Sequence, residues 1–231
     1  MKISGILVMA GNSVRYGKNT NKNLEKMHGK YIVEYSLEAL DINSYITDII
    51  LVVRASEIPK VQEILALKKY IKPIQIIEGG NSRASSVYNA LKKSTSDLVI
   101  IQDAARPNIK QQYINKCIEN IVIGEVEGSA VAVKSKDTVK IVDENNVVIS
   151  TTNRNATYLV QTPQCFVTKT LLKAYSTSES LDAFTDDCML LEKTSGKIKL
   201  VEGDYSNIKL TTKEDFILLS ALLEEKEGSL L

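Results

Sequence analysis

Histidine occurs once in this 231-residue chain, at His28, and that scarcity removes whole classes of chemistry. A multi-histidine metal centre is impossible. A Ser-His-Asp triad would have to use His28 alone, and nothing around it suggests one. Cysteine is nearly as sparse. Cys117, Cys165 and Cys188 are odd in number and far apart, which favours reduced thiols in the cytoplasm over a disulfide framework or a zinc site. Excess charge is lacking as well: 29 Lys and Arg against 28 Asp and Glu leave +1. That balance argues against a broad electrostatic footprint for DNA or RNA, so any anion binding is local. No apolar run approaches the roughly 20 residues needed to cross a bilayer. The opening "MKISGILVMAG" has a short apolar part interrupted by Ser4 and Gly5, which reads as a buried strand rather than an export signal.

What is present is a regular alternation. The segments "ISGILVMA", "TDIILVV", "IQIIEGG", "DLVIIQDA" and "GSAVAVK" are short, β-branched and nearly continuous in apolar character. Strands buried on both faces of a parallel sheet read this way. Between them "YIVEYSLEALD", "SEIPKVQEILALKKY", "RASSVYNALKKS" and "QQYINKCIENIV" carry the spacing of amphipathic helices. The expected fold is therefore α/β: three layers, doubly wound about a mostly parallel sheet. After Lys134 the helical period fades, and "SKDTVKIVDENNVVISTTNRNATYLVQTPQ" holds two β-rich stretches around "DENN". This predicts a projecting β-arm over about 135–158, with "ENN" at its turn. Helices at "TKTLLKAYSTS" and "TDDCMLLEKTSG", a strand at "KIKLVEGD" and a closing helix at "TTKEDFILLSALLEEKEG" follow. Thr211 and Glu214 are placed to form a capping box at that last helix. With no linker, repeat or low-complexity stretch, residues 1–231 read as one domain with an arm.

Ligands of open α/β sheets sit at the carboxyl ends of the strands, so the loops there hold the candidate site. The first of them, "AGNSVRYGKNTNK", gathers Arg15, Lys18 and Lys22 among small residues. Cations beside exposed backbone N–H groups suit a phosphate, although a glycine turn with solvated lysines is the competing reading. The loop is not a Walker A motif. Five residues separate Gly11 from Gly17-Lys18, where that motif needs four, and Asn19 stands where Ser or Thr is required. A G-x-G-x-x-G dinucleotide fingerprint is absent too. Asp103, at the end of a strand, is suited to bind substrate hydroxyls or to help position a cation, or else to pin Arg106.

Taken together the loops are more specific. Over nearly its whole length the chain resembles the 2-C-methyl-D-erythritol 4-phosphate cytidylyltransferases and their near relatives, the ribitol-5-phosphate cytidylyltransferases. The family's A-A-G-x-G-x-R-M-G followed by P-K-Q appears here as Met9-Ala10-Gly11-Asn12-Ser13-Val14-Arg15-Tyr16-Gly17, then Asn21-Lys22-Asn23. "GGNSRASSV" and "DAARP" are intact, and "DTVK", "QTPQ", "TDD" and "NIKLTT" follow in order. The departures are Ser13 for the second glycine, Asn21 and Asn23 around Lys22, and Gln102 where the family usually has His.

The resemblance implies a Rossmann-like nucleotidyltransferase fold. It also implies a reaction of CTP with a polyol phosphate that gives a CDP-polyol and pyrophosphate, with Mg²⁺. For methylerythritol phosphate this is a step of isoprenoid precursor synthesis. The residue types suit that chemistry. A phosphate monoester is already largely dianionic at neutral pH, so no general base is needed. The barrier lies in bringing anions together and stabilising an in-line transition state, which cations do. By motif position Arg15 and Lys22 hold the triphosphate and stabilise the α-phosphate under attack. Ala10 and Gly11 approach the nucleotide through their backbone. Gly79, Gly80, Asn81 and Ser86 enclose the cytosine and ribose, with Ala104 beside the ribose. Arg83 orders that loop and, with Arg106, supports the site. Asp103, Thr138, Arg154, Thr185 and Lys209 match the ligands of the substrate's phosphate and hydroxyls. No metal ligand is assigned, Mg²⁺ being expected mainly on the CTP phosphates.

Two alternatives stand beside this reading. One is the ribitol-5-phosphate enzyme of cell-wall polymer synthesis. "DAARP" and "YLVQTPQ" lean away from it, whereas "YSNIKLTT" suits either. The other is a non-catalytic nucleotide-binding paralogue, against which the joint retention of Arg15, Lys22, Asp103, Arg154 and Lys209 argues. The arm is too long for a simple connection, and an isolated hairpin is marginal in water. With the resemblance, this implies a homodimer that exchanges arms, Arg154 reaching the neighbouring subunit's substrate. No nucleic-acid or membrane partner is expected.

Overall fold

The structure, a computed structural model, describes residues 1–10, 21–124, 126–181 and 184–228. Strand β1 (Ile3–Val8) is buried along its whole length, Ser4 and Gly5 included. A tight hairpin, β2 (Lys26–Met27) and β3 (Lys30–Tyr31), turns at His28 and Gly29, whose φ values of 48° and 82° are those of a primed hairpin turn. Helix α1 (Ile32–Asp41) leads to β4 (Asp48–Val53), α2 (Ile58–Ala66) and β5 (Ile74–Glu78). Then come α3 (Arg83–Leu91), β6 (Leu98–Asp103), α4 (Gln111–Ile123) and β7 (Gly128–Lys134). Beyond β8 (Lys140–Val142) and β9 (Val148–Thr151), the chain returns through β10 (Tyr158–Val167). It ends in α5 (Thr168–Ser176), α6 (Asp187–Glu192), β11 (Ile198–Glu202) and α7 (Lys213–Gly228).

The central sheet has the order β11-β7-β10-β6-β1-β4-β5. Its neighbours are parallel except at β10, which runs antiparallel to both β6 and β7. Each face is covered by helices. Leu37 and Leu40 of α1, Val61 of α2, and Ile114 and Ile118 of α4 share one core with Ile49, Leu51 and Ile100. Val87 and Leu91 of α3, Leu171 of α5, and Leu190 and Leu191 of α6 share the other with Ile6, Ile50, Val99 and Ile101. Alternate residues of one strand thus feed opposite layers, which is the three-layer α/β arrangement expected.

Three details differ from the sequence reading. Helix α2 stops at Ala66 rather than running on to Tyr70, and Leu67 stands 82% exposed beyond it. The closing helix is capped one residue later than expected. Asp215 accepts from the N–H groups of Thr211 and Thr212 (2.8 and 2.7 Å), while Thr212 Oγ1 accepts from Asp215 N–H at 3.4 Å. Third, the polar "QTPQ" lies inside a ten-residue strand of the main sheet. Between Val160 and Gln164 the register against β7 shifts, because one residue of β7 faces three of β10. That bulge turns Gln161 and Thr162 toward the site.

The arm strands β8 and β9 form a separate two-stranded sheet, exposed throughout. At its turn Asp143 Oδ1 accepts from the N–H groups of Asn145 and Val147, and Asn146 takes φ 62°. Its root is tied to the body by Tyr205, whose hydroxyl donates to the Lys134 carbonyl at 2.8 Å.

Candidate active site

After β1 the chain builds outward through β4 and β5, then returns with β6 to the other side of β1. The crevice at the carboxyl ends of β1 and β6 is therefore the topological switch point, where α/β sheets bind ligands. Ala10 and Ala104 line it, 6% and 0% exposed, and the Ala104 N–H is held by the Val8 carbonyl at 3.0 Å.

Asp103 ends β6 in the middle of this crevice. Its Oδ1 accepts from Arg83 Nε at 3.0 Å and its Oδ2 from Lys209 Nζ at 2.6 Å. Arg83 continues the chain of charges, donating from Nη1 to the fully buried Asp187 at 2.8 Å, and Tyr175 donates its hydroxyl to the other Asp187 oxygen at 2.5 Å. Burial by itself would push the Asp103 carboxyl up. The charges of Arg83, Lys209 and Arg106 overcome it and hold the group far below the usual carboxylate range. For Arg83 burial works against the charge, and Asp187 and Asp103 outweigh it, raising its already high pKa. The result is a fixed row of alternating charges from α6 across α3 and β6 to Lys209.

The possibility that Asp103 pins Arg106 is corrected by this geometry. The Arg106 guanidinium instead donates from Nη1 to the Asn207 carbonyl at 2.7 Å. Asn207 in turn donates to Gln161 Oε1 and to the Thr162 carbonyl, both at 2.9 Å, and Thr162 Oγ1 accepts from the Asp103 N–H at 3.1 Å. Gln102, in place of the family's usual His, donates to the carbonyls of Asp103 and Arg106 and so stitches that turn.

The loop after β5 is built for close approach. A Cβ on Gly79 would stand 2.4 Å from the Ala10 Cβ, and one on Gly80 would stand 2.2 Å from Ser85 Oγ, so neither site accepts a side chain. Ser86 is buried and its Oγ accepts from the Gly80 N–H at 3.0 Å while donating to the Ser82 carbonyl at 2.8 Å. Asn81 is exposed at the crest of the loop. Arg83 is the first residue of α3, so the end of this loop is bonded directly to Asp103.

Gly11 and Arg15, together with Ser13 and Lys18, lie outside the described residues. Lys22 begins a short 3-10 turn (Lys22–Leu24) that Asn21 caps. Thr185 is exposed immediately before Asp186, which caps α6 by accepting from the Met189 N–H at 2.9 Å. Thr138 and Arg154 are exposed on the arm, where the Arg154 guanidinium reaches the Lys136 carbonyl at 3.5 Å. Among the described residues no hydrogen bond or ion pair joins these two to the Asp103 network. The sequence reading assigned no role to Asp187, Thr162 or Asn207, although "TDD", "QTPQ" and "NIKLTT" contained them. Tyr175 carried no signal.

The chain is similar to known proteins along nearly its whole length. A family model described as 2-C-methyl-D-erythritol 4-phosphate cytidylyltransferase matches residues 3–225. The protein of that name from Fusobacterium nucleatum is 39% identical over 221 residues, covering 94% of this chain and 95% of that one. Its namesake from Caldanaerobacter subterraneus is 37% identical over 229 residues, covering 97% and 100%. Among solved structures, 4-diphosphocytidyl-2C-methyl-D-erythritol synthase from Anaerococcus prevotii superposes with a TM-score of 0.84 at 34% identity, covering 96% and 98% of the two chains.

Proposed function

The chain belongs to the 2-C-methyl-D-erythritol 4-phosphate cytidylyltransferase family, and from that premise we propose how its own residues carry out the transfer. The enzyme moves a cytidylyl group from CTP to 2-C-methyl-D-erythritol 4-phosphate, releasing pyrophosphate and forming 4-diphosphocytidyl-2-C-methyl-D-erythritol for isoprenoid synthesis. The observation that carries the reading is the joining of Asp103, Lys209 and Arg83 at the switch point, beside a glycine loop that admits no side chain. The loop at Gly79 and Gly80 lets a flat base lie against backbone, with Ser86 fixing its shape. Asp103 accepts hydrogen bonds from the hydroxyls of ribose or polyol. Its charge is balanced by two cations, so it does not repel the incoming phosphates.

Lys22, Arg15 and Lys209 supply positive charge where it develops on the α-phosphate. Thr138, Arg154 and Thr185 hold the polyol phosphate, which attacks as a dianion without a protein base. Mg²⁺ fits this scheme as a passenger on the triphosphate. Among the described residues no group of three acidic or other metal-binding side chains converges, and both Asp103 oxygens already hold cations. When bound, the ion neutralises phosphate charge.

Ile141, Val148 and Ile149 of the arm, and Tyr158, Leu159 and Val160 at the start of β10, are between 39% and 66% exposed, which leaves apolar surface for a partner to cover. Packing it on a second copy covers it and brings Arg154 to the neighbouring site. The three free, buried thiols suit the reducing cytoplasm. Pyrophosphate release tests the assignment, with CTP, UTP, ATP and GTP each offered with methylerythritol 4-phosphate or ribitol 5-phosphate. CTP with methylerythritol 4-phosphate is expected to dominate. Preference for ribitol 5-phosphate, or equal rates with all four nucleotides, overturns it.

A further inference from the structure

Asn21 precedes Lys22 and is 2% exposed, an unusual setting for an amide unless all its hydrogen-bonding capacity is used. Here it is used. The side-chain oxygen accepts from the Asn23 N–H at 3.0 Å and closes the 3-10 turn that carries Lys22. The amide nitrogen donates twice, to the Met9 carbonyl at the end of β1 (2.9 Å) and to Glu57 Oε2 (2.8 Å). Glu57 sits in the turn between β4 and α2, 9% exposed, and its other oxygen is paired with the Arg54 guanidinium. One amide therefore ties the Lys22 turn to the segments that follow two neighbouring parallel strands, β1 and β4. The backbone of Asn21 adds a second indication. Its φ of −69° and ψ of 119° lie where a proline ring would hold the chain. Hydrogen bonds supply here the restraint that a ring would impose covalently.

We infer that Glu57 and Asn21 are positioning residues for Lys22. The carboxylate, itself held by Arg54, orients the Asn21 amide, and the amide fixes the start of the Lys22 turn against the end of β1. This rests on the reading above that Lys22 acts on the transferring phosphate. A cation that must meet charge developing in the transition state loses much of its effect when misplaced by an ångström. A glutamine at position 57 cannot serve both neighbours, since its one oxygen accepts while its NH₂ group opposes a donor.

Steady-state kinetics on the full-length enzyme at saturating Mg²⁺ tests this with Asn21→Ala, Glu57→Gln, their double variant and Lys22→Ala. Both single variants are expected to lower kcat and kcat/KM together by about 10- to 100-fold, with the KM for CTP within about twofold of wild type. The double variant is expected to lose little more than either single one, because the two act through one contact. Far-UV circular dichroism at the assay temperature gives the folded fraction. A loss of kcat no larger than the loss of folded protein overturns the inference, as does a rise in KM with kcat unchanged. If Lys22→Ala is inactive while Asn21→Ala and Glu57→Gln turn over within about twofold of wild type, Lys22 keeps its role and the positioning inference alone fails. Near-normal turnover by Lys22→Ala removes the role itself. Should Asn21→Ala not fold, Glu57→Gln decides by the same criteria.

Discussion

Asp187→Ala removes the far anchor of the charge row, and its cost follows from two contacts. The carboxylate is fully buried and serves Arg83 at 2.8 Å and the Tyr175 hydroxyl at 2.5 Å. Without it, the Tyr175 hydroxyl is buried with no acceptor, and Arg83 shares its charge with Asp103 alone. Hydrogen bonds to charged groups contribute about 1.5–3 kcal/mol each, and breaking a buried pair typically costs about 3–5 kcal/mol. The two routes agree on a loss of about 3–5 kcal/mol. In a protein of this size that lowers Tm by about 6–20 °C. Asp187→Asn separates the contributions: its amide oxygen still accepts from Tyr175, but Arg83 loses a charged partner, so about 1.5–3 kcal/mol is expected.

Urea denaturation followed by circular dichroism reads both variants, with an unchanged slope showing that stability alone has moved. Catalysis responds as well. Arg83 loosened from α6 releases the orientation of Asp103 and of the Gly79–Gly80 loop, so the KM for CTP rises in both variants. Alanine and asparagine variants both within about 1 kcal/mol of wild type, with unaltered KM, would refute the reasoning that this row is a structural bridge.

Other outcomes follow from the same structure. Lys22→Ala and Arg15→Ala are expected to abolish measurable turnover with the fold intact, each loss being worth several kcal/mol of transition-state stabilisation; near-normal rates at saturating CTP in both contradict their role. The folded Asp103 carboxyl titrates below its unfolded value of about 3.9, so the unfolded chain binds the extra proton and stability rises with pH across that interval. The stability difference between wild type and Asp103→Asn is thus expected to be full above about pH 5 and to shrink as pH falls toward 2; a difference that is flat with pH contradicts the pairing. All three cysteines are buried, and burial pushes the Cys117 thiol up to about 12 and raises the other two as well. A thiol reagent at pH 8 is expected to label none in the native enzyme and all three in denaturant. Mixing inactive Arg154→Ala and Lys22→Ala subunits under conditions of exchange is expected to restore roughly a quarter of wild-type activity, since half the dimers are mixed and one site in each is free of both defects; exchange without recovery places Arg154 in its own subunit's site.

What could be read from the sequence, and what could not, divides along a physical line. β1, β4 and β6 were legible because a strand buried on both faces is mostly apolar, so the run of apolar residues is itself the signal. β10 was not, because Gln161 and Thr162 of "QTPQ" bond to partners remote in sequence: Asp103 for Thr162, Asp204 and Asn207 for Gln161. The cap of α7 was missed by one residue because Thr211 and Thr212 are equal candidates locally, and only Asp215 chooses between them. Asp103 shows the limit most clearly. Proximity along the chain suggested Arg106 as its partner, yet the tight turn between them sends the arginine to the Asn207 carbonyl. The carboxylate is held instead by Arg83, 20 residues away, and Lys209, 106 residues away. Strand order alone brings those two together, and strand order is set by which faces bury which helices rather than by any local spacing. The loops could therefore be identified as a site, since each sits at a strand's end. Their mutual bonding had to wait for the sheet to place those ends side by side.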